Sequence, residues 1–245
     1  MKHTINRISQ LIIFILLLSS SEKSFSQLSR IAIINLVDTT LLYHHIGFTM
    51  FTNKIDTFDC KFNCKKYIDN ELSRFLSSKY SLSFITITDS LISSNGSIYN
   101  AWGIKKEVKL WLSNLKDDYE IVIFVESGEQ ADYLNQTNQI LKSSGLYSRG
   151  NPIKSWAAVY STVKFIPLRT SSLKTLDYGL SGMKYLERIK NYKFPEEKIL
   201  IKPEMLPIIK TDLENLLAYK IEYFLTKSFL LPQDAYDKLK ILKVD

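Results

Sequence analysis

Five apolar residues in an unbroken row, Ile121-Val122-Ile123-Phe124-Val125, constrain this chain more than any other stretch. A strand with one face in water alternates apolar and polar residues, so a row without a polar break needs cover on both faces. That is the position of a central strand in a sheet packed by helices on either side. The residues before it supply one such helix, because Ile104, Val108, Trp111, Leu112 and Leu115 recur at i, i+4, i+7, i+8 and i+11. Farther upstream, Ser81 to Thr88 alternates as a strand through Leu82, Phe84 and Thr86. Strand, helix and strand from Ser81 to Val125 therefore predict a right-handed βαβ unit.

The flanking segments extend this to an α/β fold with a mixed sheet. Ile31 to Leu36 and Leu41 to Ile46 are apolar runs separated by Asp38, Thr39 and Thr40, which predicts a hairpin, with Phe48 to Asp59 irregular after it. Cys64, Ile68, Leu72, Phe75 and Leu76 form the stripe of a first helix. Ala157 to Leu168 reads as one long strand, with Pro167, which lacks an N–H, marking a sheet edge or a strand end, and Leu173 to Tyr178 as its late antiparallel partner. A long amphipathic helix closes the fold. Ile209, Leu213, Leu216, Leu217, Ile221, Phe224 and Leu225 share its apolar face, opposite Lys210, Asp212, Glu214 and Glu222, and Pro232 sets its limit.

The first 26 residues carry an address. Lys2 and Arg7 precede the apolar run Leu11 to Leu18, which is far short of the ~20 residues that span a bilayer. Ser24 and Ser26 flank Phe25 in an A-x-A-like arrangement before Gln27, so residues 1–26 are expected to be a signal peptide cleaved after Ser26. Residues 27–245 then form a single α/β domain with a C-terminal helical extension, without a transmembrane segment, in the periplasm or secreted. The leader takes Lys2, Arg7 and Lys23 against Glu22, so the formal +7 falls to about +5 in the mature chain. These charges are scattered, and nucleic-acid binding, which needs a concentrated basic stripe, is not expected.

The candidates for chemistry are few. Cys60 and Cys64 are the whole cysteine content, and export makes them a disulfide candidate, bridged or buried and not catalytic. Their C-x-x-x-C spacing matches neither a thioredoxin-like motif nor half of a zinc site. His44 and His45 are adjacent in a strand, so their side chains point to opposite faces and cannot grip one metal; no metal and no cofactor are expected. Gly179-Leu180-Ser181-Gly182 is one residue short of a nucleophile elbow, and the Ser-x-x-Lys matches at Ser113, Ser161, Ser171 and Ser181 lack their companion motifs. Carboxylates remain. Asp89 and Glu126 follow the carboxyl ends of two strands expected to be parallel, the edge where open α/β sheets bind ligands. Glu129 lies in the next loop, and Arg149 in a later loop that can return to the same edge.

The exported chain opening with I-A-I-I-N-L at Ile31 to Leu36, then helix, strand, helix, central strand and a late hairpin, resembles the small α/β domains of Gram-negative envelope proteins. The TolB amino-terminal domain and the curli-secretion lipoproteins are examples. The resemblance is one of layout over Arg30 to Tyr178, and it implies an assembly or scaffolding role with an envelope protein as partner. Two functions follow from these observations. The first is an exported soluble envelope protein with a non-catalytic binding or assembly role; the alternative is a hydrolase or small-ligand binder using the carboxylates at the sheet edge.

Overall fold

The computed structural model describes residues 29–47, 51, 53–92, 97–100, 103–131, 139–150, 156–176, 183–189, 201–228 and 230–231. The signal peptide expected over residues 1–26, the Gly179–Gly182 stretch and Pro232 lie outside them. The described residues form two five-stranded sheets, three helices and two short two-stranded ribbons. Among them, no helix is long and apolar enough to cross a membrane.

The first sheet is built around β1 (Arg30–Leu36) and β7 (Ile121–Glu126). They pair in parallel, Ile31 beside Ile121 and Leu36 beside Glu126. On the far side of β1 lies β4 (Ser81–Phe84), also parallel; on the far side of β7 lies β12 (Lys164–Arg169), antiparallel, and then the two-residue β13 (Lys174–Thr175). The βαβ unit is present as β4, α2 (Lys106–Leu115) and β7, but its two strands flank β1 instead of touching each other. Every residue of β7 is buried, as the apolar row requires. Ile121, Ile123 and Val125 face one core, and Val122 and Phe124 face a second, smaller core under α2.

The second sheet holds β2 (Leu41–Ile46) and β10 (Ser144–Arg149) as its parallel pair. Beyond β2 runs β3 (Lys54–Phe58); beyond β10 run β11 (Trp156–Ser161) and β14 (Leu186–Arg188), all antiparallel to their neighbours. In β10, a Cβ on Gly145 would collide with the Leu42 carbonyl, so this close approach of two backbones requires glycine. The long helix α3 (Leu206–Lys227) and α1 (Cys64–Leu76) close the main core, which both sheets share: Ile33, Val125 and Phe165 from one, Tyr43, Leu146 and Val159 from the other. Asn63 caps α1, its Oδ1 accepting from the Lys66 N–H at 2.9 Å.

Two segments run directly through both sheets, β1 into β2 and β11 into β12, while β7 and β10 are joined by way of the β8 (Glu129–Ala131) and β9 (Ile140–Lys142) ribbon; the order β12-β7-β1 in the first sheet thus recurs as β11-β10-β2 in the second. Strands that switch sheets through a bend make the corners of such packings. This geometry corrects two expectations. Ile31–Leu36 and Leu41–Ile46 are not a hairpin, because the chain bends at Asp38 to Thr40 without reversing. Ala157–Leu168 is not one strand, because Thr162 and Val163 carry it from one sheet to the other.

Smaller departures have local causes. The stretch expected to be irregular before Asp59 contains β3, an exposed strand held only by β2. Ile104 belongs to a two-residue strand ahead of α2 and not to the helix. Among the described residues of the expected Leu173–Tyr178 partner, Lys174 and Thr175 pair with β12; Asp177 and Tyr178 lie outside the described residues. The Pro167 carbonyl accepts from Leu176 N–H on that side, so the missing Pro167 N–H also faces that side and this pair has one bond in place of two. Glu222, assigned by periodicity to the solvent face of the last helix, is buried.

Candidate functional site

The carboxyl ends of β1 and β7 carry Asn35 and Glu126. Glu126 is 4% exposed. One carboxylate oxygen accepts from the Ile98 N–H at 2.6 Å and the other from the Ser97 hydroxyl at 3.0 Å. Burial pushes its carboxyl above the usual range, opposed by those two donors and by Lys164, which lies beside it in register on β12. Both oxygens thus fasten the segment leading to α2 onto the end of the central strand. Asn35 does the same for α1: its amide donates to Asp69 Oδ1 at 2.7 Å and to the Lys65 carbonyl at 3.1 Å, and its oxygen accepts from the Val37 N–H at 3.1 Å.

The other candidates named from the sequence do not gather here. Asp89 opens a short 3-10 turn after β4, at the expected end of the sheet. Glu129 is exposed in β8 (Glu129–Ala131) and ion-pairs with Lys142 of β9 (Ile140–Lys142) at 2.7 Å. Arg149 does not return to this edge. It ends β10, beside Trp156 and Ile46, a strand length of about 17 Å from the point where that strand leaves the corner.

At the corner itself, hydroxyl groups stitch the three crossings together. The Asp38 N–H donates to Ser127 Oγ at 2.9 Å, and Ser127 in turn to Ser143 Oγ at 3.3 Å. Thr162 Oγ1 lies 2.7 Å from the Gly128 carbonyl and 2.9 Å from that of Ser143. Ser144 Oγ lies 2.9 Å from Ser161 Oγ. Lys220 reaches in from α3, 3% exposed, and donates to the Ser161 carbonyl at 3.0 Å. Burial first, and Lys164 second, bring its ammonium down to about 8. Lys220 and the Ser144–Ser161 hydroxyl pair it borders are buried, and the one bond recorded for its ammonium goes to a backbone carbonyl.

Cys64 begins α1 with its thiol within hydrogen-bond reach of Ser144. Cys60 lies outside the helix, ahead of the Asn63 cap, so the two do not share a helical face. Both are free, buried thiols in this structure. Burial raises Cys60 to about 11 and Cys64 to about 12, the protonated and unreactive form.

Sequence reasoning missed one further constellation. The carboxyl ends of β2 and β10 set His45 beside Ser148 in register, and His45 Nδ1 lies 2.8 Å from Ser148 Oγ. The Tyr43 hydroxyl lies 2.8 Å from the same oxygen. Burial, and then Lys54 beside it on β3, lower the His45 pKa, which favours neutral imidazole. The trio is a nucleophile–base pair in distance, but Ser148 is 0% exposed. It ties the parallel strands together and can pass a proton, and it presents no reacting oxygen. His44 and His45 do point to opposite faces; His44 packs edge-on against Tyr160. The pairing of residues 103 positions apart has no signature in the sequence.

Comparison of the sequence with protein-family models and with curated proteins found no match.

Proposed function

We propose that this chain is an exported envelope protein, periplasmic or secreted, with a non-catalytic role in binding or assembly. The observation that carries the reading is Glu126. It stands where an open α/β sheet binds its ligand, and both its oxygens are taken by Ser97 and Ile98. The hydroxyl groups and the lysine of the corner are likewise spent on holding strands together. The leader over residues 1–26 supports export, and the layout shared with small envelope domains supports assembly with a protein partner. The mild, scattered positive charge favours a protein over nucleic acid.

Cross-linking in living host cells, followed by mass spectrometry of the tagged chain, tests this. The expected result is a discrete adduct with an envelope protein or with a second copy, on a chain that begins near Gln27. A chain that keeps Met1 and stays in the cytoplasm would defeat the reading. So would a Glu126→Gln protein that folds normally and loses the phenotype of the gene, which would move the chain to the hydrolase or ligand-binding alternative.

A further inference from the structure

The long helix α3 lies against β11, and β14 is the next strand out in the same sheet. A cleft of about 480 Å³ runs between α3 and β14, within the ~300–1,000 Å³ that small-ligand sites occupy. Spacing sets its helix wall. Ile208, Asp212, Asn215 and Tyr219 stand at i, i+4, i+7 and i+11, one face of α3 beside the buried stripe, and Leu216 of that stripe lines the cleft at 3% exposed. The other wall is β14 with the Lys184 that precedes it. Glu187 is opposite Val159 in register, and Val159 faces the main core, so the Glu187 side chain is on the helix side of the sheet.

Four of the lining side chains are charged, and the charges cancel: Lys184 and Arg188 against Glu187 and Asp212. Lys184 ion-pairs with Glu187. A lining without net charge draws in neither an anion nor a cation from a distance. A wholly apolar ligand is disfavoured as well, because it would strip water from the polar walls and return no hydrogen bond. Hydrogen-bonding capacity is what the cleft has left over. No described residue bonds the Asn215 amide or the Tyr219 hydroxyl, and the Arg188 guanidinium is stacked over the Trp156 ring at 4.9 Å with its N–H donors unspent on any described residue.

We propose that this cleft binds a short neutral oligosaccharide. Sugar hydroxyl groups both donate and accept, and the walls answer both: the carboxylates of Glu187 and Asp212 accept, Lys184 and Arg188 donate, and the Asn215 amide does each. The C–H faces of a sugar ring are apolar, and they find Leu216, the 45% exposed Ile208 and the Tyr219 ring, which is steadied by Tyr223 at a centroid distance of 6.1 Å. The site goes beyond the protein-binding role proposed above and stands independently of it.

Purified protein, as its host processes it, is applied to an immobilised panel of neutral and charged oligosaccharides built from hexoses and N-acetylhexosamines, and the best neutral binder is titrated by calorimetry at low and at high salt. Neutral members are expected to bind with an affinity that salt leaves unchanged. Asn215→Ala and Tyr219→Phe, each removing one hydrogen-bonding group at the protein surface, weaken binding about fivefold at an unchanged thermal midpoint. The proposal is overturned by a panel on which no neutral member binds, by a preference for sulfated or uronic-acid members that fades with salt, or by binding that both substitutions leave intact. Retention on the insoluble polymer of the same sugar identifies a glycan chain as the source, and capture of the soluble form alone a free sugar; both uphold the site. Sugar binding by a chain that stays in the cytoplasm keeps this cleft and removes the export reading, whereas an adduct with an envelope protein beside a blank panel does the reverse.

Discussion

Replacing Lys220 with methionine is expected to stabilise the protein at neutral pH. The lysine is 3% exposed and its ammonium is brought from 10.5 down to about 8. At about 1.4 kcal/mol per pH unit, retaining the charge below pH 8 costs roughly 3 kcal/mol relative to the unfolded chain. Methionine has similar length and no charge, but it leaves the Ser161 carbonyl without its Nζ donor, a loss of about 1–2 kcal/mol. The net gain at pH 7 is about 1–2 kcal/mol. Between pH 8 and 10.5 the unfolded chain binds the proton that the folded chain has released, so wild-type stability rises with pH across that window. The methionine variant lacks this slope, and its advantage disappears by the upper end. Urea denaturation followed by tryptophan fluorescence from pH 6 to 10.5 measures both effects. A variant destabilised by more than about 2 kcal/mol at pH 7, with the wild-type pH slope intact, would refute the reasoning and mean that the hydroxyl cluster stabilises the ammonium.

Three further outcomes are expected. Glu126→Ala unpairs the buried Ile98 N–H and costs about 2 kcal/mol, while Glu126→Gln keeps an acceptor, resembles the protonated form that burial favours and stays within about 0.5 kcal/mol of wild type; urea midpoints distinguish them. Because the His45 pKa is lowered in the folded state, the stability that its neutral form provides is complete above pH 6.5 and is lost as pH falls below it, a slope that His45→Gln removes in the same titration. Iodoacetamide labels neither Cys60 nor Cys64 in the native protein at pH 8 and labels both after denaturation without reductant; rapid native alkylation contradicts their buried, protonated state.

The elements that the sequence made legible are those whose signal is periodic. The stripes of α1 and α3, and the unbroken row of β7, are each produced by the cover they receive, so the apolar positions picked out by the pattern are buried, although on α3 burial extends past the stripe to Lys220 and Glu222. The corner was not legible for the same reason. A bend into another sheet and a reversal into a hairpin both use Asp38-Thr39-Thr40, and a two-residue crossing at Thr162 and Val163 leaves the apolar pattern of one long strand intact. Lys220 was within reach: it lies four residues after Leu216 and four before Phe224, on the buried stripe, where its chemistry argued for solvent and its position for the core. Of the site, the placement of Glu126 at the end of β7 followed from the strand. Its bonds to Ser97 and Ile98, the His45–Ser148 contact and the absence of Arg149 from that edge are consequences of tertiary packing, which no local pattern encodes.

Because β1–β2 and β11–β12 each contribute a strand to both sheets, neither sheet can come apart without pulling the other with it. Opening the β2–β10 pair withdraws the continuation of β1, and fraying β12 releases β11. The two halves share one core as well, so they lack the separate contact sets from which independent unfolding units are made. Amide exchange in the central strands of both sheets should therefore report a single opening free energy. A protein built this way offers partners a stiff platform, and any response to binding has to travel through loops and edges, since the corner leaves no hinge between the sheets.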